Sequence, residues 1–323
     1  LLGYGIVEQQ GTQNPEEDET TCRTLTTEDL ISEELLLPQP EETQQTALIP
    51  ESVEATAGTA LSNFRPAVQQ VQIDRTQLAD YETLVRNFYA IDANTMAGSD
   101  QLSVEKLLGM DMTLPQEGDG PQILIYHTHS QEAFADSVPG DVNTGIVGVG
   151  ECLTKILTEQ YGYRVLHNTG QYDVETRDNA YSRALPAVEQ ILAENPSIQV
   201  IIDLHRDEVA EETKLVTDIQ GRPTARFMFF NGLSRTRKTG DIDYLANENQ
   251  EANLAFSFQM QLKAAEYYPG LTRRIYLKGY RYNMHLRPRT LLVELGAQNN
   301  TVEEAINACD PLAHILDMVL KGE

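Results

Sequence analysis

The sequence predicts an α/β fold, a mostly parallel (mixed) sheet with helices on both faces. Three observations predict it. Short apolar runs, Ile123 to Tyr126, Gln199 to Leu204 and Thr290 to Glu294 among them, have the length and texture of strands buried on both sides. Stretches of helical length and spacing separate those runs. Turn clusters punctuate the series, as at Gly118-Asp-Gly-Pro121, Asn195-Pro196 and Pro269-Gly270. Strands that alternate with helices favour parallel pairing, because the crossover carries each strand back to the same end.

Taken in order, residues 1–61 read as an acidic low-complexity tether. Between Leu1 and Ala60 stand thirteen acidic residues against a single basic one, Arg23, with no sustained apolar period. Such a composition buries too little apolar surface to offset the entropy of ordering it. Residues 62–118 read as a small helical extension packed onto the larger domain C-terminal to it. Its helices are expected over Thr76 to Tyr89, where Leu78, Tyr81, Leu84, Val85 and Tyr89 recur at helical spacing, and over Ser103 to Gly109.

The third part, residues 119–323, is the α/β domain. Strands are expected at Ile123 to Tyr126, Tyr163 to His167, Gln199 to Leu204, Arg226 to Phe230, Arg273 to Leu277 and Thr290 to Glu294. Helices are expected at Gly150 to Gln160, Ser182 to Glu194, Asn247 to Tyr268 and Val302 to Leu320, the last broken near Pro311.

Bulk properties exclude some functions. A formal net charge of -25 over 323 residues argues against nucleic-acid binding, which leaves a basic footprint. Cys22, Cys152 and Cys309 lack the spacing of a thiolate metal site or a disulfide framework, and the last two read as small core residues. No apolar run has the length of a membrane span. The chain begins at Leu1, so a preceding segment that targets or anchors it is compatible with the sequence.

Chemistry gathers at three strand ends. Ile123 to Tyr126 runs into His127, His129 and Glu132; Ile201 to Leu204 runs into His205, Arg206 and Asp207; Leu291 to Val293 ends in Glu294. Parallel strands bring such ends to one sheet edge. Two histidines and a carboxylate, with a further position left to water, are a usual catalytic zinc set, so His129, Glu132 and His205 are the expected Zn2+ ligands. His127 stands as a ligand in place of His129 or as a transition-state donor. Glu294 is the available general base. Arg206 reads equally as an anchor for an anionic group and as a partner of Asp207 or Asp203. His285 lies in a polar loop within reach of such a cleft, while His167 and His314 read as structural. The glycines of Gly145-Ile-Val-Gly148-Val-Gly150 do not form a dinucleotide loop, since their spacing is reversed and no strand directly precedes them.

Taken together, Tyr126-His-Thr-His-Ser-Gln-Glu132, Asp203-Leu-His-Arg-Asp207, Leu292-Val-Glu-Leu-Gly296 through Asn300-Thr301, and the upstream Asn87-Phe-Tyr-Ala-Ile-Asp92 resemble the stage II sporulation protein P family. That family is similar to the zinc-dependent N-acetylmuramoyl-L-alanine amidases. The resemblance implies an amidase-like catalytic domain in which His129 and His205 bind zinc and Glu294 is catalytic. Where the broader amidases take a glutamate ligand from a helix, this chain has Asn143, and Glu132 replaces it in a His-x-x-Glu spacing. His127 or Arg206 would then stabilise the oxyanion.

The resemblance further implies a peptidoglycan hydrolase that acts in forespore engulfment. It would cleave the amide between N-acetylmuramic acid and L-Ala of the stem peptide, with cross-link endopeptidase activity as well. Stage II sporulation proteins D and M would be its partners. An N-terminal membrane anchor would hold it outside the cytoplasm at the sporulation septum and engulfing membrane. Two alternatives stand beside this reading: a zinc carboxypeptidase, suggested by His-x-x-Glu, and a non-catalytic septal scaffold that binds the wall.

Overall fold

The computed structural model describes residues 64–115 and 118–323; the acidic tether over residues 1–61 lies outside them. Helix α1 (Tyr81–Phe88) starts where the Asp80 carboxylate caps the Thr83 N–H at 2.8 Å. It runs straight into strand β1 (Tyr89–Ile91), and α2 (Val104–Gly109) comes next. Then come β2 (Ile123–Tyr126), α3 (Ile146–Glu159), β3 (Val165–His167), α4 (Ala180–Glu194) and β4 (Val200–Asp207). A hairpin of β5 (Val216–Ile219) and β6 (Arg222–Ala225) leads to β7 (Phe227–Gly232) and a short ribbon of β8 (Arg235–Thr236) and β9 (Gly240–Asp241). The chain closes with α5 (Gln250–Tyr267), β10 (Ile275–Lys278), β11 (Arg289–Ala297) and α6 (Val302–Lys321).

Seven strands form the main sheet in the order β1-β10-β7-β11-β4-β2-β3. All neighbours run parallel except β7 and β11, so the sheet is mixed, as the sequence predicts. Alternation sorts each strand between the two faces. Along β2, Ile123 and Ile125 join a large core with α3, α5 and α6, whereas Leu124 and Tyr126 join Ala184, Val188 and Leu192 of α4. Helices therefore cover both faces.

The structure adds to and corrects several expected elements. The segment after α1 carries β1, which pairs with β10 at the sheet edge, so the N-terminal extension is stitched into the main sheet. The β5–β6 hairpin turns on Gln220 and Gly221, both at positive φ (58° and 79°), the backbone a two-residue hairpin loop needs. Helix α3 begins at Ile146, ahead of the expected Gly150.

The break expected near Pro311 does not occur; α6 runs through it unbroken. A mid-helix proline costs about 3 kcal/mol. Here the Thr301–Glu304 capping box and the burial of Ala305, Ala308, Cys309, Leu312 and Ala313 outweigh that cost. Cys152 and Cys309 are free thiols on α3 and α6, the latter buried.

Candidate active site

β4 and β11 lie side by side with Glu294 in register with His205, while Tyr126 of β2 pairs with Asp203. Because side chains alternate, Asp203 and His205 share the face of β4 that α4 covers. Tyr181 of α4 stacks on the His205 ring at 6.4 Å and meets the His129 ring edge-on at 5.8 Å. The two imidazoles, His129 and His205, stand 5.3 Å apart between centroids. Glu132 reaches the same spot, its Oε2 3.5 Å from His205 Nδ1. His129, Glu132 and His205 are thus a buried cluster, with the half-buried Glu294 beside it, around the carboxyl ends of three strands.

Two further acids back the histidines. Asp203 Oδ1 is in ionic contact with His205 Nε2 at 2.8 Å, and Thr128 holds that carboxylate through its N–H and hydroxyl. Asp173 accepts from Ser130 Oγ at 2.8 Å and lies 3.7 Å from His129 Nδ1. Carboxylates so placed orient the imidazoles they face. Arg177 completes the group: its Nη2 donates to Glu132 Oε1 at 3.1 Å, while Oε2 accepts from the Arg206 backbone N–H at 2.8 Å.

Electrostatics stem from burial and neighbours. Burial alone would raise the Glu132 carboxyl, but His205, His129 and Arg177 together hold it far below the usual carboxylate range. Burial would likewise lower His205, yet Asp203 and Glu132 lift it well above an ordinary imidazole. Glu294 goes the other way. Burial, reinforced by Asp207 and Glu132, pushes its carboxyl up to about 8.

Two residues expected at the site stand apart from the cluster. Arg206 alternates to the opposite face of β4 from His205, and its guanidinium donates to the carbonyls of Ala133 and Asp207. His127 continues the Ile125 side of β2, towards α3: its Nδ1 lies 2.7 Å from Leu204 O and its Nε2 2.9 Å from His167 Nε2. The structure therefore puts His129, and not His127, beside His205. Sequence reasoning missed Asp173, Arg177 and Tyr181. The first two lie in the irregular stretch between β3 and α4, where no periodicity marks a residue as inward-facing. Asp203 was legible as the residue two before a strand-end histidine.

Among the described residues, no group of three His, Cys, Asp or Glu side chains is already arranged as a metal shell. The donor types nonetheless suit a zinc ion: two imidazoles and one carboxylate in a pocket rich in negative charge. Three buried polar atoms there, His129 Nδ1, His205 Nε2 and Glu294 Oε2, make no hydrogen bond, although His205 Nε2 keeps its ionic contact with Asp203.

Fold and cluster together define an α/β domain with a histidine–carboxylate centre at the carboxyl ends of its strands. The chain belongs to the stage II sporulation protein P family, whose sequence pattern it matches over residues 25–317. It is 26% identical over 217 residues to the stage II sporulation protein P of Bacillus subtilis (strain 168), an alignment covering 61% of this chain and 51% of the relative. The chain thus spans about half the length of the curated relative it matches.

Solved structures similar to it include two N-acetylmuramoyl-L-alanine amidases. The catalytic domain of one from Bacillus (Paenibacillus) polymyxa var. colistinus aligns at TM-score 0.38 and 14% identity, covering 62% of this chain and 95% of that one. The other, from Mycobacterium smegmatis, aligns at TM-score 0.40 and 12% identity, covering 64% and 100%.

Proposed function

We propose that this chain is a zinc-dependent peptidoglycan hydrolase that cleaves the amide between N-acetylmuramic acid and L-Ala of the stem peptide, with cross-link peptide bonds as further substrates. The convergence of His129, Glu132 and His205 in one buried cluster, with Glu294 in register beside His205, carries the reading. His129, Glu132 and His205 would hold the ion. When bound, zinc supplies Lewis-acid polarisation of the scissile carbonyl and of water.

The chain's own groups do the rest. Glu294, a carboxyl whose burial brings it near neutrality, takes a proton from the attacking water and returns it to the leaving amine. Asp203 and Asp173 orient the two imidazoles. Arg177 fixes the Glu132 carboxylate and adds positive charge where negative charge develops. Tyr181 walls the site on the α4 side and limits water.

Family membership supports the biological setting, namely action on septal wall during engulfment, with stage II sporulation proteins D and M as partners and an N-terminal anchor in the membrane. Among the described residues no helix is long and apolar enough to cross a membrane.

Mass spectrometry of muropeptides released by the zinc-loaded protein tests the activity. Free stem peptides together with peptide-free glycan are the expected products. Release of terminal amino acids alone would make it a carboxypeptidase, and no release with any wall preparation would leave only a binding role.

A further inference from the structure

A second pair of histidines stands outside the cluster. His127 is wholly buried, and the His167 side chain is only 5% exposed. Their four ring nitrogens can be assigned from the partners. Leu204 O accepts only, so His127 Nδ1, 2.7 Å away, carries the hydrogen and its Nε2 presents a lone pair. The Glu151 carboxylate, 3.0 Å from His167 Nδ1, also accepts, so that nitrogen carries a hydrogen too. A neutral His167 then presents a lone pair at Nε2, which faces His127 Nε2 at 2.9 Å.

Two lone pairs 2.9 Å apart need a positive charge that both share, a proton on the line between them or an ion set to one side of it. That charge is either a proton, which makes His167 an imidazolium, or a metal ion. Gly150 allows the approach. An added Cβ there would fall 2.6 Å from His127 Nε2, 2.7 Å from its Cε1 and 2.7 Å from His167 Nε2, so only glycine leaves the two rings this room.

We propose that His127 and His167 form a second metal site, distinct from the His129–Glu132–His205 cluster, that binds a borderline divalent ion such as Zn2+ or Cu2+ through the two Nε2 atoms. Imidazole suits these ions. Each ring already has its other nitrogen oriented by an acceptor, one a backbone carbonyl and one a carboxylate, as metal-binding histidines have. Water completes the shell, while Glu151, whose side chain is 72% exposed, stays on His167 Nδ1. His167 ends β3, an edge strand, so the ion has a short path from solvent. Bound there, it ties the end of β3 to the end of β2, directly before the segment that carries His129. The site stands whether or not the neighbouring cluster is hydrolytic.

Equilibrium dialysis of the full chain against ZnCl2 at about pH 8, where free imidazole is unprotonated, with the metal counted by mass spectrometry, tests it. Wild type should hold about two zinc ions per chain and the His167→Gln and His205→Gln variants about one each. A His167→Gln chain that holds as much zinc as wild type overturns the proposal. An unchanged His205→Gln chain counts instead against the zinc-hydrolase reading alone. If His167→Gln does not fold, 15N NMR of the imidazoles in the intact chain decides: His127 and His167 Nε2 should shift as zinc is added. A His167 ring that stays doubly protonated throughout the titration overturns the second site.

Discussion

Asp203 shows how one side chain sets another's chemistry. It is held by two donors from Thr128 and presses one oxygen on His205 Nε2, which turns Nδ1 towards Glu132. Asp203→Asn keeps the shape and removes the charge. Zinc affinity of the cluster, measured by competition with a chromophoric chelator, should fall ~10–100-fold, the usual effect of losing such a support. In the proposed mechanism Glu294 has a different burden, since it would carry a proton through each turnover. Glu294→Gln should leave zinc content and melting temperature near wild type while wall hydrolysis drops ~10²–10⁴-fold, the worth of a general acid–base group. Hydrolysis within tenfold of wild type would remove Glu294 from the mechanism.

At the scale of elements, the site depends on how strands and helices end. β4 places Asp203 and His205 on one face and Arg206 on the other by alternation alone, which is why adjacent residues part company. Helix α6 carries no site residue but backs β6 and α3 as a buried layer, so its start matters. The Thr301 hydroxyl accepts the Glu304 N–H while the Glu304 carboxylate accepts the Thr301 N–H. Thr301→Ala should cost about 1 kcal/mol in urea unfolding with the m-value unchanged. A loss below a few tenths would show that Glu304, which also binds Lys214 and Asn300, holds this end without the hydroxyl.

For the whole molecule, pH acts through the half-buried His285 as well as through the many carboxylates. Burial, with Arg281 adding to it, lowers His285 to about 4. The unfolded chain binds a proton there near pH ~6.5, and the folded chain resists it until about 4. Stability from this residue is therefore intact above pH ~6.5, lost progressively as pH falls towards 4, and constant below that. Melting temperatures of wild type and His285→Gln, tracked from pH ~7 to ~4, should converge as the pH drops, because the variant lacks this penalty. Parallel curves would mean that His285 titrates alike in both states.

By itself the sequence determined the layered α/β plan, the principal strands and helices, and four of the residues that meet: His129, Glu132, His205 and Glu294. It could do so because buried strands, amphipathic helices and turn residues each leave a local periodic mark, and strand-end polar groups inherit the geometry of the sheet. Only the tertiary structure decided the rest. It set His129 beside His205 and turned His127 to the other side of the sheet, against His167. It carried α6 through Pro311, because packing outweighs a local cost. It brought Arg177 and Asp173 in from an irregular stretch, and it joined β1 to β10 across most of the chain. These outcomes depend on contacts between distant segments, and no local pattern records such contacts.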